Sequence, residues 1–214
     1  MEIWVKYTYL NAPNDPSVVS TFLDLLPPEY QQEVLKYKFP RDAQLCLFGK
    51  LLLKRVLNCL GQPDNAILHI QQTPYKRPYL KGEVDFNISH SHNMVVAVGT
   101  TEGRIGIDIE AITEVNIEEF GQVFSPVELR NISQSSNPMH AFFSLWTQKE
   151  SLIKADGRGM YVPLTEVRAM GNKGWVQRNP WFLYPLLLKE GYITHLAADH
   201  KIMKENMRIE KVNF

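Results

Sequence analysis

The chain has very little cysteine. Its 214 residues include two, Cys46 and Cys59. Both fall in one predicted helix, too far apart to pair, and neither has zinc-ligand spacing. A disulfide scaffold is excluded, and buried thiols in a reducing compartment are expected. No apolar run approaches membrane-spanning length. Residues Met1 to Tyr9 lack the basic end and apolar core of a signal peptide, so a cytoplasmic location with no membrane partner is expected. Neither sign of charge is in excess: 23 Lys+Arg stand against 23 Asp+Glu. Bulk electrostatics therefore gives no reason to expect nucleic acid, and any anion site must come from local clustering. Internal repeats, low-complexity stretches and Pro/Gly/Ser linkers are absent as well. What remains, 44% hydrophobic and 21% charged, is an ordinary globule of one large domain or two small ones.

The most informative stretch is Arg104-Ile105-Gly106-Ile107-Asp108-Ile109-Glu110. Its strict alternation predicts a strand with Ile105, Ile107 and Ile109 on a buried face. Gly106, Asp108 and Glu110 share the other face. Two carboxylates one pleat repeat apart, beside a residue with no side chain, can hold a hard divalent cation and leave room for a ligand. The same pattern also suits a half-exposed strand with two solvated acids.

Elsewhere the pattern predicts a first strand over Ile3 to Tyr9, and helices over Ser17 to Leu26 and Glu29 to Lys36. A long apolar helix runs to about Leu60, with Asp42 as its N-cap. Ahead of it, Lys36, Lys38 and Arg41 interleave with Tyr37 and Phe39. Cations beside a helix N-terminus suit a phosphate, or they form a solvated rim. Ile67 to Gln71 reads as a strand, and Lys76-Arg77-Pro78 as a basic loop. In Val84 to Gly99 two strands flank a polar break, Ser89 to Asn93. Its Ser-His-Ser can bind phosphate oxygens or simply form a turn. Asn137 and Pro138 form an N-cap and N1 pair that starts a helix to about Ala155. On it Trp146, Glu150 and Lys154 recur every fourth residue and form one stripe. Strands and turns fill Val167 to Phe214, which ends in a polar tail.

Together, Gly106-Ile107-Asp108-Ile109-Glu110 and Trp146-Thr147-Gln148-Lys149-Glu150-Ser151-Leu152-Ile153-Lys154 resemble the paired signature of the 4′-phosphopantetheinyl transferases. Phe86-Asn87-Ile88-Ser89-His90-Ser91 resembles that family's upstream block, and Gly157-Arg158-Gly159 with Pro163-Leu164 continues the match. The resemblance covers roughly Pro28 to Leu164 and is to the larger, single-chain type. Two departures stand out. Leu45 occupies a place where members usually carry Arg, and the usual Gly-Lys-Pro appears as Lys76-Arg77-Pro78.

The resemblance implies an α+β fold of two similar halves, 1–102 and 103–214, in pseudo-twofold arrangement. Each half would be a small antiparallel sheet on a long helix, with coenzyme A in a cleft between them. It implies a monomer that transfers the 4′-phosphopantetheine group of coenzyme A to a serine of an apo acyl or peptidyl carrier protein. Adenosine 3′,5′-bisphosphate would be released. Asp108, Glu110 and Glu150 would hold Mg²⁺, or Mn²⁺, which accepts the same oxygen ligands. Glu150 would accept the serine proton, and Lys154 would stabilise the developing charge. His90 would contact a coenzyme A phosphate, and Ser89 the adenine or ribose. Lys76 and Arg77 would lie near the adenine end. Lys36, Lys38 and Arg41 would serve the 3′-phosphate, with Arg41 the foremost. The competing readings are a non-catalytic coenzyme A-binding protein on the same scaffold, or another metal-dependent phosphoryl-transfer enzyme.

Overall fold

The structure is a computed structural model that describes residues 2–82 and 84–214. It has α+β architecture and divides into two compact units. One comprises Met1–Gln71, Pro78–Glu102 and Met203–Phe214; the other comprises Gln72–Arg77 and Gly103–Ile202.

In the first unit β1 (Ile3–Tyr9) leads to the short helices α1 (Ser17–Phe22) and α2 (Pro28–Val34), then to the 20-residue α3 (Pro40–Cys59). Two-residue strands β2 (Gln71–Gln72) and β3 (Pro78–Tyr79) precede β4 (Asp85–Ser91) and β5 (Met94–Thr100). Among the described residues the main sheet has four strands, ordered β11-β1-β5-β4. On α3, Leu45, Phe48, Leu52 and Val56 follow the helical period, so one stripe is apolar and buried with Val95 and Ala97 of β5. Gly99 continues that face of β5. A Cβ there would stand 2.7 Å from Val56 Cγ1, so the missing side chain lets the helix lie close.

Several expectations change here. The long helix starts at Pro40 with Phe39 as N-cap, and Asp42 falls inside its first turn. Pro has no N–H to lose at N1 and a preset φ, so it opens the helix three residues earlier than an Asp42 cap would. Of Ile67 to Gln71 only Gln71 lies in a strand, β2. Ala66–His69 forms a 3₁₀ turn, closed by Ala66 N–H to the Pro63 carbonyl and Leu68 N–H to the Asn65 carbonyl. The polar break at Ser89 is part of β4, which pairs with β5 as far as Ser91↔Met94. Only His92 and Asn93 turn, His92 at φ 50°. The tail is also reassigned. Strand β11 (Met207–Lys211) pairs in parallel with β1, Val5 opposite Ile209, so 203–214 belongs to the first unit and its sheet is not wholly antiparallel.

The second unit contains β6 (Ile105–Ala111), α4 (Pro126–Ser133), α5 (Pro138–Asp156), β7 (Val167–Met170), β8 (Lys173–Val176), β9 (Asn179–Leu186) and β10 (Tyr192–Ala198). Among the described residues its sheet has five antiparallel strands, ordered β6-β10-β9-β8-β7. Helix α5 begins as the sequence predicts, with Asn137 Oδ1 accepting from the His140 N–H at 3.1 Å. It ends at Gly157, whose φ of 86° only glycine adopts readily. Leu152, Ile153 and Ala155 pack with Val176, Leu183 and Ala197 of the sheet.

Candidate active site

Strand β6 is buried on both faces, not half-exposed. The alternation does separate Ile105, Ile107 and Ile109 from Gly106, Asp108 and Glu110. However, α5 lies on the acidic face. A Cβ on Gly106 would sit 2.3 Å from the Ser151 carbonyl oxygen and 2.4 Å from the Ala155 nitrogen. The space that a missing side chain seemed to leave for a ligand is therefore filled by helix backbone. Asp108 is 3% exposed as a result.

The helix in turn brings its stripe to those acids. Lys154 Nζ donates to Asp108 Oδ1 at 2.6 Å. Burial raises the pKa of Glu150, the charges of Asp108 and then Glu110 push it further up, and the Lys154 ammonium opposes the rise. Glu150 thus feels all three neighbours, and Lys154 and Asp108 also pair directly. Among the described residues no three His, Cys, Asp or Glu side chains converge as ready-made metal ligands. The coupling and the lack of convergence are compatible, because the Lys154 ammonium already engages Asp108. The donor set itself fits a hard cation: three carboxylates whose mutual repulsion a divalent charge would relieve.

Two residues behind this face escaped the sequence reading. His195 stands opposite Asp108 in the β10–β6 register. Its Nδ1 is 2.7 Å from Thr147 Oγ1, and its Nε2 is 3.4 Å from Gln148 Nε2. The Gln amide donates to Nε2, so a neutral ring carries its proton on Nδ1 and donates to Thr147. The Thr147 hydroxyl proton then goes to the Phe143 carbonyl at 2.7 Å. Burial, then the charge of His140, pushes the His195 pKa down to about 4, in keeping with a neutral ring. Lys149, next to Glu150, is 1% exposed. It donates to Glu128 Oε2 at 2.9 Å and to the Leu164 and Val123 carbonyls at 3.2 and 3.3 Å. Glu128 closes the Ser125 capping box at the start of α4, so Lys149 ties α5 to that helix.

The basic residues sort differently. Lys36, Lys38 and Arg41 are exposed around the start of α3, with Arg41 Nε 4.0 Å from Asp42 Oδ1. Exposed His90 and Ile88 line a pocket of about 270 Å³ with Tyr37, Asp42, Leu45 and Lys50. Buried Ser89 points to the opposite face of β4 from His90, because successive strand residues alternate. Lys76 is exposed at φ 63°. Arg77 is 6% exposed, and its guanidinium donates to the Ile105 carbonyl at 2.9 Å and the Ala155 carbonyl at 3.3 Å. A buried fork that donates to main-chain carbonyls has a structural role of its own, whatever it contributes at the adenine end.

Comparison with known proteins gives this arrangement a family. A profile of the 4′-phosphopantetheinyl transferase superfamily matches residues 104–198, and one of the 4′-phosphopantetheinyl transferase N-terminal region matches residues 13–102. The 4′-phosphopantetheinyl transferase gsp of Aneurinibacillus migulanus is 34% identical over 82% of this chain and 72% of its own length. The chain belongs to the 4′-phosphopantetheinyl transferase superfamily. The transferase Sfp of Bacillus subtilis is 28% identical over 73% of this chain and 71% of its own. The L-aminoadipate-semialdehyde dehydrogenase-phosphopantetheinyl transferase of Schizosaccharomyces pombe is 30% identical over 69% and 65%.

As a 4′-phosphopantetheinyl transferase, the chain moves the phosphopantetheine group of coenzyme A to a carrier protein. The face shared by β6 and α5 lies wholly within the superfamily match, as do His195 and Lys149. The signal for Lys149 was its place inside the α5 motif. For His195 no local signal existed, because its meaning depends on the register of β10 against β6. No helix among the described residues is long and apolar enough to cross a membrane.

Proposed function

We propose that the face formed by Asp108, Glu110, Glu150 and Lys154 is the catalytic centre, and that a carrier serine attacks there. The observation that carries this reading is the 2.6 Å pair of Lys154 with Asp108 on a strand–helix face where Asp108, Glu110 and Lys154 all act on Glu150. Asp108, Glu110 and Glu150 would hold a hard divalent cation, Mg²⁺ or Mn²⁺, which supplies charge neutralisation to the pyrophosphate oxygens of coenzyme A. The raised pKa of Glu150 makes its carboxylate a better proton acceptor than an exposed glutamate. Glu150 takes the proton of the serine hydroxyl as the new oxygen–phosphorus bond forms. The bond to the departing adenosine 3′,5′-bisphosphate breaks, and Lys154 steadies the negative charge. His90 takes a phosphate of coenzyme A, Ser89 lies by the adenine or ribose, and Lys76 reaches the adenine end. Arg41, supported by Lys36 and Lys38, takes the 3′-phosphate. The free thiols Cys46 and Cys59 accord with a reducing cytoplasm, where the enzyme works as a monomer.

The test is incubation of the protein with coenzyme A, Mg²⁺ and a panel of apo carrier proteins, read by mass. A gain of about 340 Da on one serine is the outcome expected of phosphopantetheine transfer. Coenzyme A binding without any gain across the panel would favour a non-catalytic role on the same scaffold.

A further inference from the structure

Six residues, Gln72–Arg77, leave the unit that surrounds them in sequence and pack with the second unit. Arg77 is the anchor of this excursion. Its buried guanidinium bridges two carbonyls of different elements, Ala155 in the last turn of α5 and Ile105 at the start of β6. The carbonyls of a last helical turn lack intrahelical partners, and a cation there also meets the negative end of the helix dipole. Arg104 adds a second cap, donating from Nη2 to the Asp156 carbonyl at 3.1 Å. Gly157 makes room for both side chains, since a Cβ there would stand 2.6 Å from Arg104 Nη2 and 2.7 Å from Arg77 Cδ.

The main chain of the same residue closes a tight turn. The Thr73 N–H donates to the Arg77 carbonyl at 2.9 Å, the Lys76 N–H to the Thr73 carbonyl at 2.8 Å, and the Arg77 N–H to Thr73 Oγ1 at 3.1 Å. These bonds hold Lys76 in the left-handed region at φ 63°, a conformation a lysine keeps only when its surroundings impose it. A second tether lies one residue earlier. The Tyr75 ring meets the Tyr161 ring edge-on at 5.2 Å, and Tyr161 follows α5 in the loop after Gly157.

We propose that Arg77 is a positioning residue for the transfer reaction, fixing the Lys76 turn to the end of the catalytic helix. The residue before the anchored carbonyl is Lys154, and the residue before Arg77 is Lys76. One guanidinium therefore sets where a cation of the reacting end and a cation of the nucleotide end stand relative to each other within the second unit. Arg77 reaches coenzyme A through Lys76 and does not touch it. This rests on the reading above that Lys76 holds the nucleotide end.

The experiment compares wild type, Arg77→Lys, Lys76→Ala and the double variant. Each is assayed for KM of coenzyme A and for kcat with an apo carrier. Titration calorimetry measures binding of adenosine 3′,5′-bisphosphate, and a thermal melt confirms folding. A lysine cannot bridge two carbonyls as the planar fork does. Arg77→Lys should raise the coenzyme A KM by about tenfold, the scale of one charged hydrogen bond. In the Lys76→Ala background the same change should barely move KM or bisphosphate affinity, because the residue it acts through is gone. Thr73→Val, which loosens the turn without touching α5, should raise KM and leave kcat unchanged, and it decides the matter if Arg77→Lys melts too low. Multiplicative KM effects in the double variant, or an unchanged KM in both Arg77→Lys and Thr73→Val, would overturn the proposal. A wild type that transfers nothing to any carrier would instead overturn the catalytic reading on which it rests.

Discussion

His195 and Asp108 face each other across the β10–β6 ladder, and each holds a different turn of α5. His195 meets Thr147, and Asp108 meets Lys154. The face beneath the helix thus carries one neutral ring and one paired carboxylate side by side. Because Thr147 and Lys154 lie seven residues apart, two turns of the helix, these contacts fix both its rotation and its slide along the strand.

The neutral state of His195 makes stability depend on pH. Its folded pKa, about 4, lies below the ordinary value of 6.5. Its contribution is present above pH 6.5 and is lost as pH falls toward 4, where only the unfolded chain gains the proton. Between pH 7 and pH 5 the loss should be about 2 kcal/mol. His195→Gln should remove that part of the pH dependence in urea unfolding. An identical pH dependence in wild type and variant would mean that the folded ring takes up its proton as readily as the unfolded one.

Gly106→Ala should be severe for a residue with no side chain. The added methyl meets backbone atoms of α5, which cannot swing aside as a side chain would. Overpacking of this kind costs about 3 kcal/mol. Urea midpoints measure it, and a loss within 0.5 kcal/mol, a typical figure for surface changes, would show that the helix can retreat freely.

Both long helices and the acidic strand were legible because their patterns are local, and the family resemblance supplied the α+β class. Periodicity marked Leu45 to Val56 as a buried stripe, and Asn137-Pro138 fixed the start of α5 to the residue. What failed depended on distant partners. That α5 covers the face of Asp108 was not legible, because alternation shows which residues share a face and not what covers it. Strand β11 was read as a polar tail because MRIEK is short and three of its five residues are charged, and only the edge of β1 makes it a strand. The helix-end role of Arg77 was not legible because a basic loop looks alike whether its cation meets a phosphate or a helix end.

Lys149 should behave as a coupled structural ion. Lys149→Met leaves Glu128 without its ammonium and two carbonyls without their donor, at a cost of about 3 kcal/mol or more. Much of that loss is the stranded Glu128 charge, so adding Glu128→Gln should recover part of it. Strictly additive losses in a double-mutant cycle would show that the 2.9 Å pair contributes nothing of its own.

Arg41→Ala should raise the KM for coenzyme A more than it lowers kcat, since the nucleotide end is held alike in ground and transition states. It should also abolish any preference over dephospho-coenzyme A. If wild type and variant discriminate equally between the two, the 3′-phosphate belongs to Lys36 or Lys38.

Asp108→Asn and Glu150→Gln should fail in different ways. Asp108 sits on a strand, 4% exposed in its side chain and paired with Lys154. Losing its charge should weaken the hold on a divalent cation, so higher Mg²⁺ should restore part of the rate, whereas excess EDTA should silence the wild type. Gln at position 150 keeps an oxygen donor but cannot accept a proton, and loss of a general base costs about 10²–10⁴ in rate. Added Mg²⁺ should rescue that variant poorly, and the acidic limb of its pH–rate profile should flatten. Stability separates the two again. A glutamate whose pKa is raised in the fold stabilises below its unfolded pKa, and the advantage is lost as pH rises through the folded value. At neutral pH in EDTA, Glu150→Gln should therefore melt no lower than wild type. Asp108→Asn should melt lower, because it removes the charge that the Lys154 ammonium meets at 2.6 Å. Full recovery of Glu150→Gln at high Mg²⁺, with the acidic limb intact, would make Glu150 a metal ligand only and assign the proton to water.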